Sequence, residues 1–306
     1  MSDGFKYGHA VLPITTNIEG REPVVSEQAR ARAIWLIYRY TSLIYIERQH
    51  LIFSGFIDGV RGEAMRAADP YAQRWFAKVL AEFCRYKGLY ETGVDLLRQG
   101  NPAGYRSIAE AAVVSEYLLS RAVSDDFYYS DVSAWTPESP PPVGLVAWGR
   151  RAYVMSRNTL MTLRAEWTYE RFQEPLLVEP ESTFPANLPP PPVPSTGAPL
   201  VTDNDGVSCS GIWLPIDRRF GCPNYLVVSS LAPSAMCTVS VSQYPLGGTE
   251  PDPLYYEYER RPSRWELLWE DRRYQGPGGL PEERELLSDD IAQPDEPLHM
   301  ILPTVP

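Results

Sequence analysis

The stretch PLLVEPESTFPANLPPPPVPSTGAP, residues 175–199, divides the chain into two kinds of sequence. Nine of its 25 residues are proline, four of them consecutive from Pro189 to Pro192. Proline fixes φ and has no N–H, so it neither continues a helix nor pairs inside a central strand, and the segment predicts an extended, polyproline-type connector. Upstream of it, apolar residues recur with helical spacing. Downstream, the period drops to two. The resulting reading is α+β: a helical bundle over 1–174, a proline-rich linker over 175–206 and a smaller, acidic β-rich region over 207–306.

Working upstream, Pro13 and Pro23 mark an extended N-terminal arm. Ser26 caps a helix with Glu27 in its first turn, and Ile34, Ile37, Tyr38, Thr41, Ile44, Tyr45 and Ile52 carry one helical face onward. Trp35, Leu36, Tyr40, Leu43 and Ile46 fill much of the other side, which places this helix at the centre of a bundle. Asp69 and Pro70 open a second helix, ended by Gly88, and a short piece from Leu89 to Arg98 stops at Gly100. A further helix begins near Pro102. Asp125–Pro142 reads as a loop and Val143–Phe172 as one long helix. Working downstream, Ile212/Leu214, Tyr225–Val228, Met236–Val241, Tyr256/Tyr258 and Trp265/Leu267/Trp269 alternate as strands do. Gly247-Gly248 and Gly276-Pro277-Gly278-Gly279 supply turns.

The charge divides at the same place. Residues 1–174 hold 20 Lys/Arg and 20 Asp/Glu, while 175–306 hold 8 and 19, so 8 − 19 = −11 is the entire formal charge of the chain. A pI near 4.9 argues against nucleic-acid binding, which needs a basic face. An acidic region that keeps its aromatic residues suits a basic protein partner. Arg39, Glu47, Arg48 and His50 interrupt the most apolar stretch, Ile34–Ile57, so no membrane association is expected. The opening residues have neither a basic start followed by an apolar run nor a small-residue cleavage site, and Cys84, Cys209, Cys222 and Cys237 include no Cys-x-x-Cys pair. A cytoplasmic protein with reduced thiols is the expectation.

Two groups of residues stand out as candidate sites. Arg150, Arg157, Arg164 and Arg171 recur every seven residues, as do Val146, Tyr153, Leu160 and Trp167. On one continuous helix those arginines fall between the ridge of Val146, Tyr153 and Leu160 and that of Val154 and Met161. A guanidinium on an apolar face must be paired or must line a cleft. The row is therefore either a set of ion pairs, to Glu110, Glu116, Asp125, Asp126 or the acidic tail, or a pocket for an anion. The second group is Glu257, Glu259, Glu266, Glu270 and Asp271, alternating with Tyr256, Tyr258, Trp265 and Trp269 as a partner-binding face. Glu282, Glu283, Glu285, Asp289 and Asp290 extend the acidic character.

Other constellations are incomplete. Glu47 and His50 form a Glu-x-x-His on a helix, but a di-iron bundle needs a second such motif, and the remaining histidines, His9 and His299, lie in terminal segments. The pair reads as structural. Three cysteines at 209, 222 and 237 lack a fourth ligand and tight pairing for zinc. No nucleophile motif or phosphate-cradling glycine loop is present. No metal, cofactor or catalytic residue is assigned.

Ser210-Gly211-Ile212-Trp213, then Trp265-Glu266-Leu267-Leu268-Trp269-Glu270-Asp271-Arg272-Arg273-Tyr274, then Leu280-Pro281-Glu282-Glu283, resembles the C-terminal part of immunity proteins encoded beside bacterial polymorphic toxins, including type VI secretion effectors. The helical N-terminal half is similar to theirs. The motifs cover about a quarter of the chain, and the Gly276–Gly279 turn departs from the shorter one of the family. The resemblance implies a stoichiometric inhibitor that binds the toxin domain of a secreted effector acting in the cytosol, and no enzyme. Its partner would be the cognate toxin domain, with the quoted motifs as scaffold. An effector-loading adaptor, or an enzyme acting on an anionic small molecule held by the arginine row, are the alternatives.

Overall fold

A computed structural model describes residues 14–17, 25–122, 142–173, 197–216, 221–243 and 254–274, with Leu188, Pro191, Pro192 and Pro194 of the proline segment. Within them the chain is α+β with helices dominating: α1 (Glu27–Tyr40), α2 (Leu43–Arg66), α3 (Pro70–Arg98), α4 (Gly104–Ala122) and α5 (Val143–Leu163) precede most of the strands. The Asp125–Pro142 loop up to Pro141, most of the proline segment, both glycine turns, His9, His299 and the Glu282–Asp290 cluster lie outside the described residues.

Three helix boundaries differ from the sequence reading. The helix expected from Ser26 through Ile52 is two helices. Ser26 Oγ accepts from Ala29 N as foreseen, but Thr41 Oγ1 donates to Ile37 O at 2.9 Å and Ser42 Oγ donates to Arg39 O at 2.6 Å while capping Tyr45 N. Two adjacent hydroxyls thus close one helix and open the next, although apolar spacing runs straight across them. Gly88 ends nothing. Phe83, Tyr86, Tyr90, Val94 and Leu97 stay buried on either side of it in a single helix, α3, and that burial outweighs the ~1 kcal/mol a mid-helix glycine costs. The third difference is α5, which stops at Leu163, nine residues short of Phe172. Ala165, at φ 51°, lets Glu166 N reach Met161 O at 2.9 Å and Ala165 N reach Thr162 O at 3.2 Å, a left-handed helix stop made without glycine.

The strands are β1 (Ile14–Asn17), β2 (Leu200–Thr202), β3 (Gly211–Pro215), β4 (Asn224–Leu226), β5 (Ala235–Gln243), β6 (Leu254–Arg261) and β7 (Arg264–Glu270). They form two antiparallel sheets, ordered β1-β5-β6 and β2-β7-β3-β4. Two strands fall outside the expected β region. β1 comes from the N-terminal arm, and β2 lies within the stretch read as linker. Leu268 is the extra residue of a bulge where Ile212 opposes Trp269 and Trp213 opposes Leu267. Beside the bulge a side chain at Gly211 would meet Trp269 O at 2.1 Å, so only glycine fits there.

The four-stranded sheet is buried on both faces. Ile212, Tyr225, Leu268 and Trp269 pack on the helices in one continuous core with Ile37, Tyr40, Phe53 and Tyr105. Trp213, Leu226 and Trp265 point the other way, into a smaller core with Val201, Ala165 and Ala235. After α5, Asn224 ties helix layer to sheet as a second backbone would: Trp167 N donates to its Oδ1 at 2.9 Å and its Nδ2 donates to Trp167 O at 3.0 Å. Helices and sheet therefore share one apolar interior.

Candidate functional site

The most densely bonded polar cluster lies where the break between α1 and α2 meets the end of β7. The last carbonyls of α1 present the negative end of its dipole, and Arg273 answers them. Its Nη1 donates to Tyr38 O at 3.0 Å and its Nη2 to Thr41 Oγ1 at 2.8 Å. Nε and Nη2 also hold Asp271, at 2.9 and 2.7 Å, with the pair's side chains only 2% exposed. The guanidinium lies 4.3 Å from the Tyr38 ring centre and 5.2 Å from that of Trp269. Tyr225 Oη donates to Asp271 Oδ2 at 2.7 Å, Tyr105 Oη donates to Thr41 O at 2.8 Å, and Leu43 N donates to Tyr274 Oη at 2.6 Å. Burial alone would raise the Asp271 carboxyl, but the Arg273 charge and these donors hold it below the usual carboxylate range. Burial pushes the Tyr105 and Tyr225 hydroxyls well up, so they stay protonated donors.

Asp271, expected on an exposed partner-binding face, is instead a buried ion-pair partner of Arg273. Its alternation with aromatics suggested an exposed face, yet in an extended chain residues two apart share a face, and Arg273 takes the carboxylate inward. The other four acids do not form one patch. Glu257 and Glu259 are exposed on β6, where Glu257 accepts from Ser240 Oγ at 2.5 Å and Glu259 pairs with Arg261 at 3.4 Å. Glu266 and Glu270 are half-buried on β7 of the other sheet, and Glu270 pairs with Arg272 at 2.6 Å. Tyr256 and Tyr258 stack at 6.4 Å on the opposite face of β6 from the two acids.

The arginine row keeps the neighbours its spacing gives it, with Tyr153, Leu160 and Met161 buried beside it, but α5 buries a second face as well. α5 buries Leu145, Trp148, Ala152, Met155, Ser156, Thr159 and Thr162, which at about 100° per residue lie roughly opposite Arg150 and Arg157. That buried face escaped the hydrophobic pattern because it is partly polar. Thr159 Oγ1 donates to Gln49 Oε1 at 2.7 Å, and Gln49 Nε2 donates to Ser156 Oγ at 3.1 Å and to Tyr90 Oη. Arg150 and Arg164 are exposed, and half-buried Arg157 bonds Glu116 at 2.9 Å. Arg171 has left the helix. It lies 4.0 Å over the Tyr258 ring and donates to Glu166 O at 2.9 Å, helping Arg260, which reaches Glu166 at 3.2 Å, to join the end of α5 to the three-stranded sheet.

Glu47 bonds Arg98 at 2.8 Å and His50 faces Glu91 at 3.7 Å, so this motif ties α2 to α3. Burial lowers the His50 pKa, against the pull of Glu91. Cys222 is buried, which raises its thiol pKa. Among the described residues no three His, Cys, Asp or Glu side chains are placed to hold a metal, and no helix is long and apolar enough to cross a membrane.

Beside the Asp271–Arg273 pair a cavity of about 190 Å³ opens between the start of α4 and the edge of the four-stranded sheet. Tyr105, Tyr225 and Tyr274 line it with Cys209, Glu270 and Asp271. Sequence reasoning missed this assembly, because its walls come from segments more than 100 residues apart with no shared motif. Comparison with known protein families, curated proteins and solved structures finds no match.

Proposed function

We propose that the chain is an immunity protein: it binds a cognate secreted toxin that acts in the cytosol and neutralises it stoichiometrically. The observation that carries this reading is the outer face of β6, where Glu257 and Glu259 stand exposed on a strand whose aromatic residues face the other way. The strand is held from behind by Arg171 on Tyr258, and its neighbour β5 by Thr238 Oγ1 donating to Glu170 at 2.8 Å. A rigid acidic face costs little to order on binding and speeds encounter with a basic partner. The resemblance motifs supply the scaffold in this reading. Trp213 and Trp265 fill the smaller core, and Asp271 and Arg273 fill the joint.

The test pairs this chain with the toxin domain encoded beside it. Co-expression should rescue bacteria from the toxin, and the two purified proteins should form a one-to-one complex by gel filtration and calorimetry. Full toxicity despite verified expression, with no complex, removes the proposal. So does substrate turnover by the purified chain alone at a rate typical of enzymes.

A further inference from the structure

The cavity beside the joint has a chemistry that the reading above does not use. At about 190 Å³ it is smaller than the roughly 300–1,000 Å³ of pockets that enclose whole small-molecule ligands, and so suits one side chain. Among the described residues its lining includes two carboxylates, Glu270 and Asp271, and no lysine or arginine. Asp271 is fully engaged by Arg273 and Tyr225, whereas Glu270 is held by Arg272, which stands in solvent and can be displaced. The hydroxyls of Tyr105, Tyr225 and Tyr274 are committed to Thr41, Asp271 and Leu43, so none is left for a ligand. Aromatic walls around a half-buried carboxylate favour a cation on an apolar stem.

We infer that this cavity receives a single lysine or arginine side chain presented by a protein partner, whose ammonium or guanidinium takes the place of Arg272 at Glu270. The inference rests on the chain being a protein-binding inhibitor, and it adds the anchor: one basic side chain of the toxin buried here. An arginine seated in an aromatic pocket is the kind of contact that dominates an interface.

Cys209 lines the cavity and reports on it, while exposed Cys84 serves as internal reference. Site-resolved alkylation of the full chain is measured with acetyl-arginine amide, acetyl-lysine amide or acetyl-norleucine amide at millimolar concentration. The two cations should slow Cys209 relative to Cys84, and the norleucine derivative should not. Glu270→Gln should weaken the protection roughly five-fold, and Arg272→Gln, which frees Glu270, should strengthen it by a similar factor. Equal protection by norleucine, or none by either cation, overturns the inference. The same assay with the toxin domain separates the two proposals. A toxin that binds by calorimetry but leaves Cys209 unprotected defeats the pocket and spares the immunity reading. Protection by the cations without any toxin complex does the reverse.

Discussion

Asp271 at the joint and Glu257 and Glu259 on β6 are all carboxylates in aromatic-rich stretches of sequence, at opposite extremes of burial. At the joint every charge has a partner, and the cluster joins the α1–α2 break to the end of β7. On β6 the tyrosines face the protein and the carboxylates face solvent. A buried charge answers to the fold, because an unpaired one is too costly to keep. An exposed charge leaves the fold indifferent and is free to meet a partner.

The sharpest way to break this contrast is to remove one member of the buried pair. Arg273→Met keeps volume but strands Asp271 and the α1 carbonyls, and should cost about 3–5 kcal/mol in denaturant unfolding. Combining it with Asp271→Asn should recover a good part of that loss, since no charge is then left unpaired. Acid provides a second handle. Because the folded protein holds Asp271 below its ordinary 3.8, the unfolded chain takes up the proton more readily. The stability from the pair is therefore complete above 3.8 and is lost as pH falls through the lower folded value. Asp271→Asn should flatten the fall in stability between about pH 5 and pH 2. A full-strength acid slope in that variant would show that the pair does not hold the joint.

Much of the fold was legible, and each boundary that was not has an identifiable cause. Gly100, at φ 75°, ends α3 with Asn101 N bonded to Leu96 O at 2.9 Å, and the glycine announces it. Ala165 performs the same stop at the end of α5 with a residue that signals nothing, so the helix was read nine residues too long and Arg171 was placed on it. Ser42 was hidden for the opposite reason, because an uninterrupted apolar pattern masked a capping hydroxyl. The candidate site was less legible still. Asp271 and Arg273 stand two residues apart, yet nothing in the sequence pairs them, and Tyr105, Tyr225 and the helix carbonyls meet them only through tertiary packing.

An intermediate test lies on α5, where burial again should set the cost. Arg157 is half-buried against Glu116, while Arg164 is exposed and lends only its main-chain oxygen to Arg260 at 3.0 Å. Arg157→Ala should cost about 1 kcal/mol and Arg164→Ala no more than about 0.5 kcal/mol, since a side-chain change leaves the carbonyl in place. Matched unfolding curves for the two variants decide it. A larger loss at Arg164 would mean that exposure does not rank these charges.

A small stability effect should also come from the residues given the largest role in binding. Reversing Glu257 and Glu259 to lysine removes one hydrogen bond from Ser240 and one surface pair with Arg261, and should move stability by no more than about 1 kcal/mol. The same change turns an attractive face repulsive for a basic partner, and long-range charge acts on encounter more than on residence. With the proposed toxin partner the association rate should fall and its salt dependence should weaken or reverse, while the dissociation rate changes little. Stopped-flow association at low and physiological salt, beside an unfolding curve of the same variant, measures both quantities. An unchanged, salt-independent on-rate in a folded variant would remove β6 as the steering face, and a collapse of stability would place these two carboxylates with Asp271 as members of the scaffold.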